Sequence, residues 1–122
     1  MCIDIVFKND GLFDFMSFSL QKPTPIEVKL FEDSTLFRIS YQNFQQTMTH
    51  GNFGEKITRL VAESAFIDKQ QQQIDLLTKT AKERYIEFIQ NKRESGKVPL
   101  KYFASYLGIT PQSLSRIRSE KI

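Results

Sequence analysis

The fold is decided by residues 98–119, which read VPLKYFASYLGITPQSLSRIRS. Phe103 and Leu107 fall on one face of a first helix, and Ala104 is small at the point where a second helix would cross it. Gly108 ends the first helix, because glycine adopts a left-handed backbone conformation without steric cost. The spacing therefore predicts a helix that runs into a tight turn.

A second helix is predicted directly after this turn. Thr110 can cap it, and Pro111 occupies its first position, where a missing amide hydrogen costs nothing. Together the two helices form a predicted helix-turn-helix within a unit that spans residues 79–122. Three further apolar residues hold the turn and the second helix in place: Ile109, Leu114 and Ile117.

The second helix turns short polar groups and arginine outward. Short side chains let a helix sit deep in the major groove of DNA, glutamine can read adenine, and arginine can read guanine. An αα-hairpin with a merely solvated outer face is the alternative interpretation. The candidates for base reading are Gln112, Ser113, Ser115 and Arg116. The candidates for phosphate contact are Lys101, Thr110, Arg118 and Lys121.

Upstream of this unit, the pattern is helical from Tyr41 to about Asn91. Thr80 and Glu83 have the spacing of a capping box, which predicts that a helix begins there. A long helix is predicted over residues 51–78, where one stripe has the spacing of a two-helix seam. We interpret it as a dimerisation and connector helix; the alternative is an amphipathic helix that packs on its own domain. The stripe consists of Ile57, Leu60, Ser64, Ile67, Gln71 and Ile74.

The first part of the chain carries strand patterns. Apolar residues alternate at positions 3, 5 and 7 before the turn signal Asn9-Asp10-Gly11, and alternate again from Ile26 to Leu30. Alternation of this kind is typical of half-buried strands. We therefore predict a β unit over residues 1–50 and an α+β fold for the whole chain.

Composition narrows the class of protein. The 122-residue chain is 40% hydrophobic and 25% charged, as expected of one folded domain or two small units. The formal charge is only +3, but five basic residues against one acid follow residue 96, so that end carries +4. A basic end favours a polyanionic partner.

Several kinds of site and location are not expected. Cys2 and His50 are the only residues of their types, which excludes a disulfide or a Cys/His zinc site within one chain. No Gly-rich phosphate loop or nucleophile with a nearby base is visible, so we expect neither a cofactor nor an enzyme. No apolar run approaches the ~18 residues that span a bilayer. We expect a cytoplasmic protein without a membrane partner.

The chain resembles the Crp/Fnr family of bacterial transcription regulators, and most closely the branch common in Bacteroidetes. The resemblance lies in LLT (76–78), ERY (83–85), VPLKY (98–102), ASYLGITP (104–111) and SLSRIR (113–118). EDS (32–34) through ISY (39–41) resembles the closing strands of the family's cyclic-nucleotide-binding-like β-roll. The resemblance implies a homodimer joined by a long helix, with a sensor β-roll before it and a DNA-reading domain after it.

The sequence departs from the family pattern in two respects. The Gly-Glu-Leu stretch and the arginine that hold a cyclic nucleotide are replaced by Leu12 to Ser17 and Thr24, so a cyclic nucleotide is not expected. Asp14 is the residue that could stand in for the glutamate. The first strands of the roll have no counterpart, which predicts a partial β-roll in either a fragment or a shortened member. No wing follows the second helix, which predicts weaker binding.

Two functions of different class, and a third, follow from these features. We expect a homodimeric, sequence-specific regulator that binds double-stranded DNA through the 111–119 helix. The alternative is a truncated interaction partner that heterodimerises with a full-length relative through residues 57–74. A small-molecule-responsive sensor fragment is the third hypothesis.

Overall fold

The computed structural model of the chain describes residues 1–91 and 95–120, with the side chains of all of them except Asn52 and Ser95. All regular secondary structure in these residues is helical. The elements in chain order are α1 (Phe15–Leu20), α2 (Tyr41–Thr49), α3 (Gly51–Thr78), α4 (Ala81–Asn91), a 3-10 turn (Ser95–Lys97), α5 (Leu100–Leu107) and α6 (Pro111–Ser119).

The predicted α+β class and the partial β-roll over residues 1–50 are wrong. Residues 1–14 and 22–40 have irregular backbone, and no strand pairing occurs in the described ranges. A strand needs a neighbour that satisfies its backbone N–H and C=O groups, whereas alternation only says which side chains would share a face. The alternation therefore indicated which side chains would share a face of a strand, but it did not identify a strand to pair with.

Two local features of this first region, a turn and a helix cap, are nevertheless formed. Asp10 N donates to the Phe7 carbonyl at 3.0 Å and Asn9 has a φ of 70°, which confirms the predicted turn. Asp14 caps α1, because its carboxylate accepts a hydrogen bond from Ser17 N at 3.3 Å. The turn and the cap are satisfied by residues nearby in sequence, so neither requires a sheet.

Helices α1 and α2 meet through an aromatic cluster. The Phe18 ring lies 5.5 Å from that of Tyr41 and 5.3 Å from that of Phe44, measured between centroids, with edge-to-face orientations. Ser40 caps α2 by accepting a hydrogen bond from Asn43 N at 3.1 Å. Edge-to-face pairs of this kind add a small favourable term beyond area burial. They attach the short α1 to the start of the helical region.

Helix α2 folds back on α3 at His50-Gly51, where Gly51 has a φ of +76°. A Cβ built on Gly54 would lie 2.7 Å from the Thr47 carbonyl oxygen and 2.9 Å from the Met48 backbone. Glycine at position 54 therefore allows the two helices to touch. Helix α3 has 28 residues and spans about 42 Å at 1.5 Å per residue.

The junction between α3 and α4 has the predicted capping box. Thr80 N donates to Glu83 Oε2 at 2.7 Å, and Glu83 N donates to Thr80 Oγ1 at 3.2 Å. Lys79 lies between two carboxylates, with its Nζ 3.1 Å from Asp75 on α3 and 2.7 Å from Glu87 on α4. Both carboxylates raise the pKa of Lys79, with Glu87 contributing more. The ion pairs connect the long helix to the C-terminal unit.

The core of the molecule lies in the C-terminal unit, formed by α4, α5 and α6. Partly buried residues from α4 to α6 pack around it, together with Cys2 and Phe7 from the start of the chain. Ile5 is the one buried core residue described before α4. The buried hydrophobic residues are Ile5, Tyr85, Val98, Phe103, Ala104, Leu107 and Leu114.

Candidate nucleic-acid interface

The α5–α6 turn is built as the sequence predicts. Gly108 has a φ of +71°, and its N–H bonds the carbonyls of Ala104 and Ser105 at the end of α5. Thr110 caps α6 by accepting a hydrogen bond from Ser113 N at 3.1 Å. Arg84 Nη2 on α4 donates to the Leu107 carbonyl at 3.0 Å. The turn is therefore stabilised by its own hydrogen bonds and by one hydrogen bond from α4.

The inner faces of α5 and α6 bury the apolar residues predicted for them. Phe103, Ala104 and Leu114 are 0% exposed. The Phe103 ring lies 5.4 Å from that of Tyr85 and 4.9 Å from that of Phe88 on α4, so the three helices share one aromatic core. Ala104 is small and fully buried in this core, and buried Leu114 fixes which face of α6 points outward.

The outer face of α6 presents a polar stripe. Gln112, Ser115 and Arg116 are exposed and follow the i, i+3, i+4 spacing that places residues on one helix face, which continues to Ser119. The side chains of Gln112 and Arg116 make no hydrogen bond or ion pair with the described residues. Ser113 is half-buried, and its Oγ accepts a 2.9 Å hydrogen bond from Thr110. The structure therefore groups three of the four base-reading candidates and sets Ser113 into the cap.

The four candidates for phosphate contact differ in how available their side chains are. Lys101 is exposed on the first turn of α5, whereas the Thr110 hydroxyl is used in the α6 cap. The Arg118 guanidinium lies 5.9 Å from the Tyr85 ring centroid and 5.7 Å from that of Phe103, so it covers the core while it remains exposed. Lys121 lies outside the described residues.

Positive charge around α6 is not balanced by its neighbours. Glu120, the one acid described after Gly96, forms an ion pair with Lys82 on α4. Lys97 lies 3.9 Å from Glu32. Lys101 and Arg116 have no ion pair within the described ranges. This surface therefore keeps a net positive charge that faces solvent.

The start of the chain contributes to this unit in a way that the sequence analysis missed. Cys2 N donates to Ser105 Oγ on α5 at 2.8 Å, and the Phe7 ring lies 5.9 Å from that of Phe88. Residues 26–32, which we call the N-terminal strap, also reach α5. These contacts join residues that are far apart in sequence, by 73 positions for Lys29 and Tyr102 and by 103 for Cys2 and Ser105, and no local pattern signals them.

The six residues of the predicted dimer seam all lie exposed on α3. Gln71 donates to Asp75 at 2.8 Å, and this bond is the main cause of the lowered pKa of Asp75. Phe66 and Ile67 are 71% and 62% exposed. The helix thus carries apolar side chains that its own chain does not cover, and pairing of two copies through it stays a prediction.

Asp14 and Thr24, which the sequence analysis compared with a cyclic-nucleotide site, lie in contact with each other. Asp14 accepts a hydrogen bond from Thr24 Oγ1 as well as the bond from Ser17 N. The Thr24 bond is the main cause of the lowered pKa of Asp14. Asp14 and Thr24 therefore satisfy each other.

Two further kinds of site are absent from the described part of the chain. No cluster of three or more His, Cys, Asp or Glu side chains there could hold a metal ion. No helix there combines the length and apolar character needed to cross a membrane.

Comparisons of this chain with protein families, with curated proteins and with solved structures found no match. The Crp/Fnr resemblance thus remains a prediction from the quoted residues, and the functional argument rests on the geometry of α4, α5 and α6.

Proposed function

We propose that the chain is a sequence-specific, double-stranded-DNA-binding transcription regulator of the Crp/Fnr type that acts as a homodimer. The observation that carries the proposal is the outer face of α6. Gln112, Ser115 and Arg116 share one exposed stripe on a helix whose other side is anchored by fully buried Leu114. A rigid helix with short polar groups and an unpaired arginine fits the major groove.

Each group on this stripe has a chemical role in the proposal. Arg116 offers two parallel donors to the O6 and N7 acceptors of guanine, and Gln112 pairs with the N6 and N7 edge of adenine. Ser115 lies between them and is short enough to let the helix approach the bases. Lys101 on α5 contacts the phosphate backbone, which the first helix of such a motif crosses. Phosphate contacts hold the protein in register without reading sequence.

Dimerisation would set the spacing between the two DNA-reading helices. Two chains paired along α3 would present two α6 helices to successive major grooves about 34 Å apart on one face of the duplex. The exposed seam residues on α3 support this arrangement. The proposal also places the protein in the bacterial cytoplasm, where the DNA lies.

The test of base reading begins with selection of preferred duplexes from a random pool. Affinities for selected and random DNA are then measured by fluorescence anisotropy. Arg116→Ala is expected to lose about 1–3 kcal/mol on the selected sequence. Lys101→Ala should weaken both DNAs alike, and Arg59→Ala, the same change on exposed α3, should alter neither. An equal loss on both DNAs for Arg116→Ala would refute base reading.

The test of the homodimer uses two neighbouring apolar residues on α3. Ile67→Glu places a charge in the predicted seam, whereas Phe66→Glu places it beside the seam on a residue that is also exposed. Sedimentation equilibrium should show a dimer for the wild type and Phe66→Glu and a monomer for Ile67→Glu. Equal dissociation of both variants would contradict the seam.

A second candidate function rests on the same exposed helix. The apolar side chains of α3 would also suit a different chain, which makes the protein a heterodimeric interaction partner. The two candidates differ in one measurable property. A wild-type chain that sediments as a monomer and binds DNA only when a partner is added would favour the second.

A further inference from the structure

The N-terminal strap lies against the first turn of α5. Lys29 Nζ donates to the Tyr102 hydroxyl oxygen at 3.1 Å, and the Phe31 ring lies 5.2 Å from the Tyr102 ring. Glu32 reaches Lys97 just before α5, at 3.9 Å. These three contacts place the strap beside α5, although Lys29 and Tyr102 are 73 positions apart in sequence.

Two ammonium groups gather around Tyr102. The Nζ atoms of Lys29 and Lys101 lie 5.4 and 5.6 Å from the centroid of its ring. Neither lysine has an ion pair among residues 1–91 and 95–120. The hydrogen bond to Tyr102 is the main cause that raises the pKa of Lys29. Neither ammonium group is therefore paired with a carboxylate of the described residues.

The hydrogen-bond directions leave several donors unused. Lys29 gives one N–H to the phenol oxygen and keeps two, while Lys101 keeps three. The phenol accepts from Lys29, so its own O–H is still available as a donor. These donors belong to side chains grouped around one ring, and a phosphate oxygen accepts bonds from charged and neutral donors alike.

We propose that Lys29, Tyr102 and Lys101 together bind one backbone phosphate of the DNA, beside the bases that α6 reads. This inference rests on the proposed function and adds to it a contact from the first part of the chain. The first helix of a helix-turn-helix crosses the sugar-phosphate backbone, and these three groups lie on and beside its first turn. The strap is thereby a sequence-independent anchor for the reading helix.

The experiment measures DNA affinity as a function of salt for the full chain and its variants. Each phosphate neutralised contributes about 0.9 to the slope of log K against log salt. Replacing both lysines (Lys29→Gln with Lys101→Gln) should lower the slope by about 0.9, which is roughly an eightfold loss of affinity at 0.1 M salt, on selected and random DNA alike. Lys29→Gln alone should lower the slope by a smaller amount, because Lys101 still contacts the same phosphate. Lys29→Arg should keep the slope. The matched control is Lys22→Gln, which removes an exposed lysine of the same region and should change nothing.

Tyr102→Phe separates the hydroxyl from the charges. It keeps the ring but removes a neutral donor, so affinity should fall while the slope is retained. Thermal unfolding of each variant checks that the C-terminal unit stays folded. An unchanged slope for Lys29→Gln, or an equal decrease for Lys22→Gln, would overturn the anchor while the proposed function stands. A wild-type chain with no salt-dependent DNA binding would overturn both.

Discussion

The C-terminal unit buries its apolar side chains, whereas residues 12–39 expose theirs. Phe103 is 0% exposed, while Phe37 is 100% and Leu36 is 62% exposed. Residues 12–39 contain five Phe and four Leu, against two Phe and three Leu in residues 79–122, so the content of these residues does not explain the difference. In α5 and α6 the apolar residues recur at helical spacing, and the inner residues of both helices are buried in one core.

The comparison shows where the stability of the molecule resides. Full burial of a large apolar side chain contributes about 1.5–3 kcal/mol relative to leaving it exposed. Several side chains of the C-terminal unit contribute this burial free energy to stability, whereas the exposed side chains of residues 12–39 contribute little of it. We therefore expect the two regions to respond very differently to the same substitution.

The largest difference is expected for phenylalanine. Phe103→Ala removes a ring packed against Tyr85 and Phe88 and leaves a cavity in the core. The free energy of unfolding should fall by about 3–5 kcal/mol, as large-to-small core substitutions do. Urea denaturation followed by far-ultraviolet circular dichroism measures this change.

Phe37→Ala makes the same chemical change in the other region. Its side chain is fully exposed, so the free energy of unfolding should stay within about 0.5 kcal/mol of the wild type. A comparable loss for both variants would mean that residues 12–39 form part of the stable core.

A smaller effect is expected at the helix pair that joins the two regions. Gly54→Ala would place a Cβ 2.7 Å from the Thr47 carbonyl oxygen, which forces α2 away from α3. Overpacking of this kind costs about 1–3 kcal/mol, and faster amide hydrogen exchange in α2 would report it. Gly96→Ala is the control, because among the described residues none beyond its chain neighbours has an atom within 4 Å of the added Cβ. Unchanged exchange in α2 for Gly54→Ala would contradict the close packing.

The sequence predicted the C-terminal unit because its signals are local. The Thr80–Glu83 box, Gly108 and the Thr110-Pro111 cap each act within a few residues, and the structure confirms all three. The long helix over residues 51–78 was also predicted with its observed bounds. Local hydrogen bonds and helical periodicity were sufficient for these elements.

The first region could not be predicted in the same way. A sheet depends on pairing between distant segments, and the alternation of residues 26–30 carries no information about a partner. The contacts of the strap could not be predicted for the same reason, because nothing in the sequence links Lys29 to Tyr102. The alternation was interpreted as half of a β-roll, although the side chains of Lys29 and Phe31 lie against a helix.

Removing one helix cap in each region compares the two regions at an expected cost of about 1 kcal/mol of helix stability. Thr110→Ala removes the cap of α6, which is part of the buried unit, and should lower its free energy of unfolding by about 1 kcal/mol. Ser40→Ala removes the corresponding cap of α2. That loss should raise hydrogen exchange in α2 without a shift of the main urea transition. A shift of the main transition by Ser40→Ala would show that α2 unfolds together with the C-terminal unit.

The smallest expected difference is a pH dependence. The bond from Thr80 N is the main cause that lowers the pKa of Glu83 below its ordinary value of 4.5. A carboxyl whose pKa is lower in the folded state stabilises the fold above its unfolded pKa, and this stabilisation is lost as the pH falls through the folded pKa. Between about pH 5 and pH 2, the Tm of the wild type should therefore fall more steeply than that of Glu83→Gln.

Asp14 provides the matched comparison for this pH dependence, because its pKa is also lowered, mainly by Thr24. It caps the six-residue α1, which has no buried residue, so its protonation should loosen α1 without altering the cooperative transition. The Tm of Asp14→Asn should follow the wild-type pH profile. If Asp14→Asn flattens the profile as much as Glu83→Gln does, α1 contributes to the same cooperative unit and the contrast between the two regions fails.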